Sequence, residues 1–203
     1  MRREYKVRVW RCIAFVGLFL CFLLGLGVGA YAQNANDILG KAAAAYENSN
    51  GISASFTMFT RSAGQNAGES FEGTIQMKGD KFTLVTPEAL TWFNGTTQWT
   101  YVERNDEVLQ FTNPALLLNS YKKGFTAAYK GESTAPNGKA AYDVELTPKK
   151  KGDIVKVELQ IEKYSNFPAR ITVTSKNGVS STIQISQLKT GINQPDVEVI
   201  DLR

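Results

Sequence analysis

The sequence predicts a mainly β protein: a long antiparallel sheet with one apolar face, curled or closed on itself, preceded by one helix and interrupted by a second. Three observations carry this expectation. From Ile52 onward, apolar and polar residues alternate with period two, the signature of half-buried strands. The alternating runs are separated by turn signals such as Gly79-Asp80, Asn137-Gly138, Lys151-Gly152-Asp153 and Asn177-Gly178. About eleven such runs are present, and a flat sheet that wide with one greasy face is unstable.

The chain opens on Arg2, Arg3, Lys6, Arg8 and Arg11, followed by an almost wholly apolar run from Ile13 to Val28 and by Ala30-Tyr31-Ala32, a small-x-small cleavage site. Residues 1–32 therefore read as a signal peptide, cut between Ala32 and Gln33, with residues 33–203 as one domain. Left uncut, the uncharged run Cys12–Ala32 is long enough to span a bilayer; the cleavage site favours release. Cys21 lies inside the apolar run and makes no lipobox.

Removal of this segment changes the chemistry. Five of the 23 basic residues and one of the 19 acidic ones go with it, leaving 18 of each, so a nucleic-acid footprint is not supported. Both cysteines, Cys12 and Cys21, leave too, so the mature chain carries no disulfide and its stability must come from its core. The chain has no histidine, which excludes Ser-His-Asp and Cys-His catalysis and His or Cys zinc sites. No catalytic residue, metal or cofactor is expected. Gly131 to Lys139 imitates a phosphate loop but has six residues between its glycines and Ala140 where a Ser or Thr is needed. Glu145 and Glu158 alternate with apolar residues, which puts them on a solvated face.

Asn34-Ala35-Asn36-Asp37 offers N-cap residues to the alanine-rich segment from Ile38 to the Asn50-Gly51 stop, with Ile38, Leu39, Ala42 and Tyr46 as its buried stripe. Two strands follow, Ile52, Ala54, Phe56 and Met58 sharing one face of the first and Phe71, Gly73, Ile75 and Met77 one face of the second. Next come KFTLV and the stretch LTWFNGTTQWTYV. Asn94-Gly95 predicts a two-residue type I′ hairpin that pairs Thr91 with Gln98 and Leu90 with Trp99. Leu90, Trp92, Trp99 and Tyr101 then share a face, either as core or as the wall of an apolar cavity. Asn94-Gly95-Thr96 also matches a glycosylation sequon, which the turn explains without a sugar. Strands EVLQF, FTAAYKG, AYDVEL, IVKVELQI, ARITVTS, STIQIS and DVEVI complete the run. Between the first two, Asn113-Pro114 starts a short helix whose leucines must dock on something apolar. Position in the chain does not separate a barrel plug from a movable lid.

The order of an initial helix, Phe71-Glu72-Gly73, Lys78 to Phe82, Asn94-Gly95-Thr96 before Trp99-Thr100-Tyr101, Pro114 to Leu118 and SSTIQISQLKTG near the end resembles the periplasmic outer-membrane lipoprotein carrier family, LolA. The resemblance runs from about Asn36 to Val199. It implies an incomplete antiparallel β-barrel, or half-barrel, with a short helical lid over an apolar cavity, in a monomer of the Gram-negative periplasm. It implies a chaperone that takes acylated lipoproteins from an inner-membrane ABC-type release complex to an outer-membrane acceptor. Gly79-Asp80 stands where family members often carry Arg and Pro, which makes Lys78 the substitute basic rim residue. An acyl chain costs about 0.8 kcal/mol per methylene to expose, and aromatic and methionine surfaces suit flexible chains. On this reading Phe56, Met58, Ile75, Met77, Phe82, Leu84, Leu90, Trp92, Trp99 and Tyr101 bind acyl chains, and Leu116, Leu117, Leu118 and Tyr121 form the lid. The alternative is a lipid-binding or envelope-stress sensor on the same fold; an enzyme ranks third.

Overall fold

A computed structural model describes residues 27–64, 68–102 and 121–192. One helix, α1 (Gly27–Glu47), precedes ten strands: β1 (Ile52–Arg61), β2 (Glu69–Lys78), β3 (Lys81–Val85), β4 (Ala89–Phe93), β5 (Gln98–Val102), β6 (Phe125–Thr134), β7 (Ala140–Pro148), β8 (Ile154–Glu162), β9 (Pro168–Ser175) and β10 (Ser180–Thr190). They form a single open antiparallel sheet in the order β5-β4-β3-β2-β1-β10-β9-β8-β7-β6, a half-barrel that does not close. The chain steps outward from the middle to one edge, restarts at the other edge, and returns to pair β10 with β1. The expected strands EVLQF and DVEVI, the leucines Leu116, Leu117 and Leu118, and residues 1–26 lie outside the described residues.

The expected helical stripe is the buried one: Ile38, Leu39, Ala42 and Tyr46 are 4%, 0%, 0% and 7% exposed. The helix itself starts earlier than the Asn34–Asp37 caps predict, because its backbone runs unbroken through Ala32 and Gln33. It ends where expected. Ser49 Oγ donates to the Tyr46 carbonyl at 2.6 Å, and Asn50 and Gly51 take φ of 52° and 93°, a left-handed exit that turns the chain into β1.

The face on which α1 packs is the inner face. One cross-strand row on it reads Phe71, Met58, Ile183, Ile171, Leu159, Val144, Tyr129 over seven strands, apolar throughout. The sheet bends at register shifts between Ser53 and Ser55, Tyr129 and Gly131, Ile154 and Lys156, and Gln160 and Ile161, since each extra residue raises the local twist. The Glu145–Glu158 pair lies directly opposite on the outer face, each glutamate answered by a lysine, Lys130 at 3.7 Å and Lys156 at 3.0 Å.

Gly73 explains the Phe-x-Gly motif. It stands opposite Phe56, and a Cβ there would lie 2.5 Å from Phe56 Cζ and 2.6 Å from the Val85 carbonyl oxygen. The missing side chain lets the Phe56 ring cross β2 and meet Phe71 edge-on at 6.3 Å. Gly73→Ala is expected to cost about 1–3 kcal/mol through overpacking, read as a lowered urea midpoint; an unchanged midpoint contradicts the packing described.

At the far end, Glu162 ties two hairpin tips together. It accepts hydrogen bonds from Asn137 Nδ2 at 2.6 Å, Ser165 Oγ at 2.7 Å and Lys139 Nζ at 3.0 Å. Burial pushes its carboxyl up, but the bonds from Ser165, Lys139 and Asn137 outweigh burial and hold it below its usual value. A group depressed in the folded state stabilises above its unfolded value and loses that contribution as pH falls through the folded one. Wild-type stability should therefore fall more steeply below about pH 4.3 than that of Glu162→Gln, measured by urea titration across pH; parallel acid limbs contradict it.

Candidate acyl-binding surface

The inner face divides into two apolar clusters. In the first, Ala35, Ile38, Leu39 and Ala42 of α1 meet Val144, Leu146, Val157, Leu159, Ile161 and Ile171, all buried. In the second, only the last turn of the helix contributes: Tyr46, with Ala45 beside it, meets Phe56, Met77, Phe82, Leu84 and Phe167. Ile52, Met58, Phe71, Ile75 and Phe93 surround this second cluster and are only partly buried. Rows Ile52–Met77–Phe82–Phe93 and Ala54–Ile75–Leu84–Thr91 place them on one continuous surface over β1 to β4. The Phe82 and Phe93 rings lie 5.6 Å apart. Thr91, 7% exposed, satisfies its hydroxyl on Thr100 Oγ1 at 3.3 Å, so the surface turns polar only at its β4–β5 edge. Tyr46 fixes the rim: its hydroxyl donates to the Gly79 carbonyl at 2.9 Å, and burial, with Asp80 nearby, pushes its ionisation up.

The ten residues expected to bind acyl chains do not share this surface. Phe56, Met58, Ile75, Met77, Phe82 and Leu84 are on the inner face; Leu90, Trp92, Trp99 and Tyr101 are on the outer one. The reason is a turn. Thr86 and Ala89 close the β3–β4 hairpin through Thr86 N to the Ala89 carbonyl at 2.9 Å, which sets Thr83 opposite Trp92 and Val85 opposite Leu90. Even-numbered residues of β3 thus face the same way as odd-numbered residues of β4, and Phe93, not Trp92, joins Phe82 inside. Phe71 and Phe93 are inner-face residues that sequence reasoning left out of the site, although Phe71 shares its alternation with Ile75 and Met77.

The aromatic hairpin keeps Leu90, Trp92, Trp99 and Tyr101 together on one face, but not its expected register. Trp92 pairs with Trp99, Leu90 with Tyr101 and Thr91 with Thr100, two residues away from the expected alignment. Asn94 is the first turn residue and not a central one. Its N–H donates to the Thr97 carbonyl at 3.2 Å, its Oδ1 accepts from Thr96 N and Thr97 N at 2.9 Å each, and Gly95 takes φ of 97°. A glycine at the first central position is what a II′ turn asks for, and the asparagine Oδ1 accepts the Thr96 and Thr97 N–H groups as in an Asx turn.

Lys78 ends β2 opposite Lys81, on the outer face beside the Tyr46–Gly79 contact. Tyr121, expected in the lid, is 3% exposed within the α1 cluster, with its hydroxyl 3.4 Å from both the carbonyl and Oδ1 of Asn36. Two outer-face grooves have mixed polar and apolar linings: about 510 Å³ beside Ser55, Thr57, Glu72, Thr74, Val85 and Pro87, and about 360 Å³ beside Lys130, Asp143, Glu145, Leu159 and Arg170. Among the described residues, no three His, Cys, Asp or Glu side chains converge to hold a metal, and no helix is long and apolar enough to cross a membrane.

No curated protein matches the chain. Among solved structures it is similar to a DUF1329 family protein from Desulfovibrio piger, at 13% identity and TM-score 0.45 over 81% of this chain and 95% of that one. It is also similar to LprF from Mycobacterium bovis, at 14% and 0.44 over 82% and 98%. The Pseudomonas aeruginosa MucA/MucB complex matches at 15% and 0.43 over 80% of this chain but 59% of that one. The family model described as outer membrane lipoprotein carrier protein LolA matches residues 27–187. With that match over most of its length, the chain belongs to the LolA outer membrane lipoprotein carrier family.

Proposed function

We propose that the protein is a non-enzymatic periplasmic carrier that shields the acyl chains of lipoproteins on the inner face of its half-barrel and moves them from the inner to the outer membrane. The observation that carries this reading is the partly buried surface of Met58, Phe71, Ile75 and Phe93, which α1 touches only through its last turn, in a chain of this family. Two or three acyl chains impose an aqueous penalty on the order of tens of kcal/mol. A wall of phenylalanine and methionine offsets that penalty without fixing one chain geometry. Loading at an ABC-type release complex and delivery to an outer-membrane acceptor complete the proposed route. Lys78 ends β2 one residue before Gly79, whose carbonyl accepts from Tyr46, so it stands at the rim of the half-barrel on the outer face.

Native mass spectrometry of the protein purified from its own cell envelope tests the reading: a retained diacylated or triacylated lipoprotein is expected. A free lipid, or a membrane-bound signalling protein with no acylated cargo, contradicts it and favours a sensor. The two faces make a second test. Phe93→Ala is expected to weaken an acyl fluorescent probe about tenfold or more, the contact value of one aromatic ring, while Trp99→Ala changes affinity by less than about twofold. Equal losses from the two variants contradict the inner-face assignment.

A further inference from the structure

The outer face changes character at one end. Along one row it reads Ser53, Gln76, Thr83, Trp92, Trp99, and along the next Ser55, Thr74, Val85, Leu90, Tyr101. The middle of the sheet presents short polar side chains to solvent, whereas β3 to β5 present five large apolar ones. These do not serve the core, which lies on the other side of the strands. Val85, Trp99 and Tyr101 are 42%, 38% and 50% exposed, and contiguous exposed apolar patches on soluble proteins mark contact surfaces.

The chemistry of the patch selects the contact. The outward positions of β3, β4 and β5 are Lys81, Thr83, Val85, Leu90, Trp92, Trp99 and Tyr101; none is a carboxylate, and the one charged group is a lysine. Lys78 stands directly across the hairpin from Lys81. Among the described residues, acids flank the patch: Asp80 and Glu88 sit in the turns at the two ends of β3, and Glu72 of β2 lines the same outer-face groove as Val85. Lysine is depleted at protein–protein interfaces. Tryptophan and tyrosine with flanking lysine, by contrast, are the side chains that partition to the headgroup level of a bilayer, aromatic bodies in the boundary and ammonium groups at phosphates.

We propose that this outer patch docks the protein on an anionic phospholipid surface, with Trp92, Trp99 and Tyr101 in the headgroup boundary and Lys78 and Lys81 at the phosphates. The proposal stands apart from the carrier reading, because it concerns the opposite face of the sheet and needs no cargo.

The processed chain beginning at Gln33 contains two tryptophans, Trp92 and Trp99, both in the patch, since Trp10 lies upstream. Its intrinsic emission therefore reports the patch alone. Mixed with phosphatidylglycerol vesicles carrying brominated acyl chains, the wild-type protein should cosediment, shift its emission to the blue and be quenched, and it should do none of these with phosphatidylcholine vesicles. Lys78→Gln and Lys81→Gln should each lower partitioning about fivefold. Phe93→Ala, on the inner face, should leave vesicle binding unchanged, so loss of acyl-probe binding and loss of docking are read separately. Unshifted emission at saturating anionic lipid overturns the proposal, as does equal binding to phosphatidylcholine. So does a concentration-dependent blue shift without vesicles, which would identify a second copy of the chain as the occupant, or loss of docking in Phe93→Ala.

Discussion

Among the described residues, α1 packs its apolar stripe on one half of the inner face and reaches the other half only with its last turn. The α1 stripe of Ala35, Ile38, Leu39 and Ala42 is spent on β6 to β9, where Leu146 and Ile161 are fully buried beneath it. By the time the helix reaches β1 to β3 it has one large side chain left, Tyr46, and the chain turns away at Asn50-Gly51. A helix buries an apolar stripe of limited width, so α1 leaves Met58, Phe71, Ile75 and Phe93 over β1 to β4 only partly buried. Completing the burial with a longer helix would remove the surface on which an apolar ligand can compete.

Two turns then decide how the aromatic residues are distributed. The Thr86–Ala89 turn fixes the parity of β4 against β3, sending Phe93 inward and Trp92 outward. The Asn94–Thr97 turn fixes β5 against β4 and stacks Trp99 on Trp92. Both faces of β4 are therefore apolar, which is unusual for a strand near the edge of an antiparallel sheet. A one-residue change in the first turn would exchange the faces, bringing both tryptophans inside and exposing Phe93. The sheet thus carries two distinct apolar surfaces, set back to back through five-residue strands.

What was legible in the sequence follows the same physics. The Ile38, Leu39, Ala42, Tyr46 stripe, the period-two strands, the turns at Gly79, Asn137 and Asn177 and the solvated Glu145–Glu158 pair could all be read, because each depends on neighbours within a few residues. The grouping of Leu90, Trp92, Trp99 and Tyr101 survived even though the register moved by two, since an even shift preserves the face. Which face that was could not be read: with Leu90 and Trp92 on one side of β4 and Phe93 on the other, the hydrophobic pattern favours neither, and the Thr86–Ala89 turn arbitrates. The helix start was misplaced for a related reason. Asn34 and Asp37 are good caps, but an alanine- and glycine-bearing segment can continue a helix through them when nothing breaks it.

The two halves of the sheet also differ in what holds them. Over β6 to β9 the tips are tied by directional bonds to Glu162, and the buried core is mainly aliphatic, with Tyr121 within it and Tyr129 edge-on to Tyr142 at its side. Over β1 to β4 two ring pairs, Phe56 against Phe71 and Phe82 against Phe93, share one cluster with Met58 and Met77. Aliphatic jigsaw packing resists changes of even one methylene, whereas rings and thioethers accept several arrangements at small cost. The phenylalanine and methionine surface over β1 to β4 is therefore the part of the inner face on which the proposed carrier function rests.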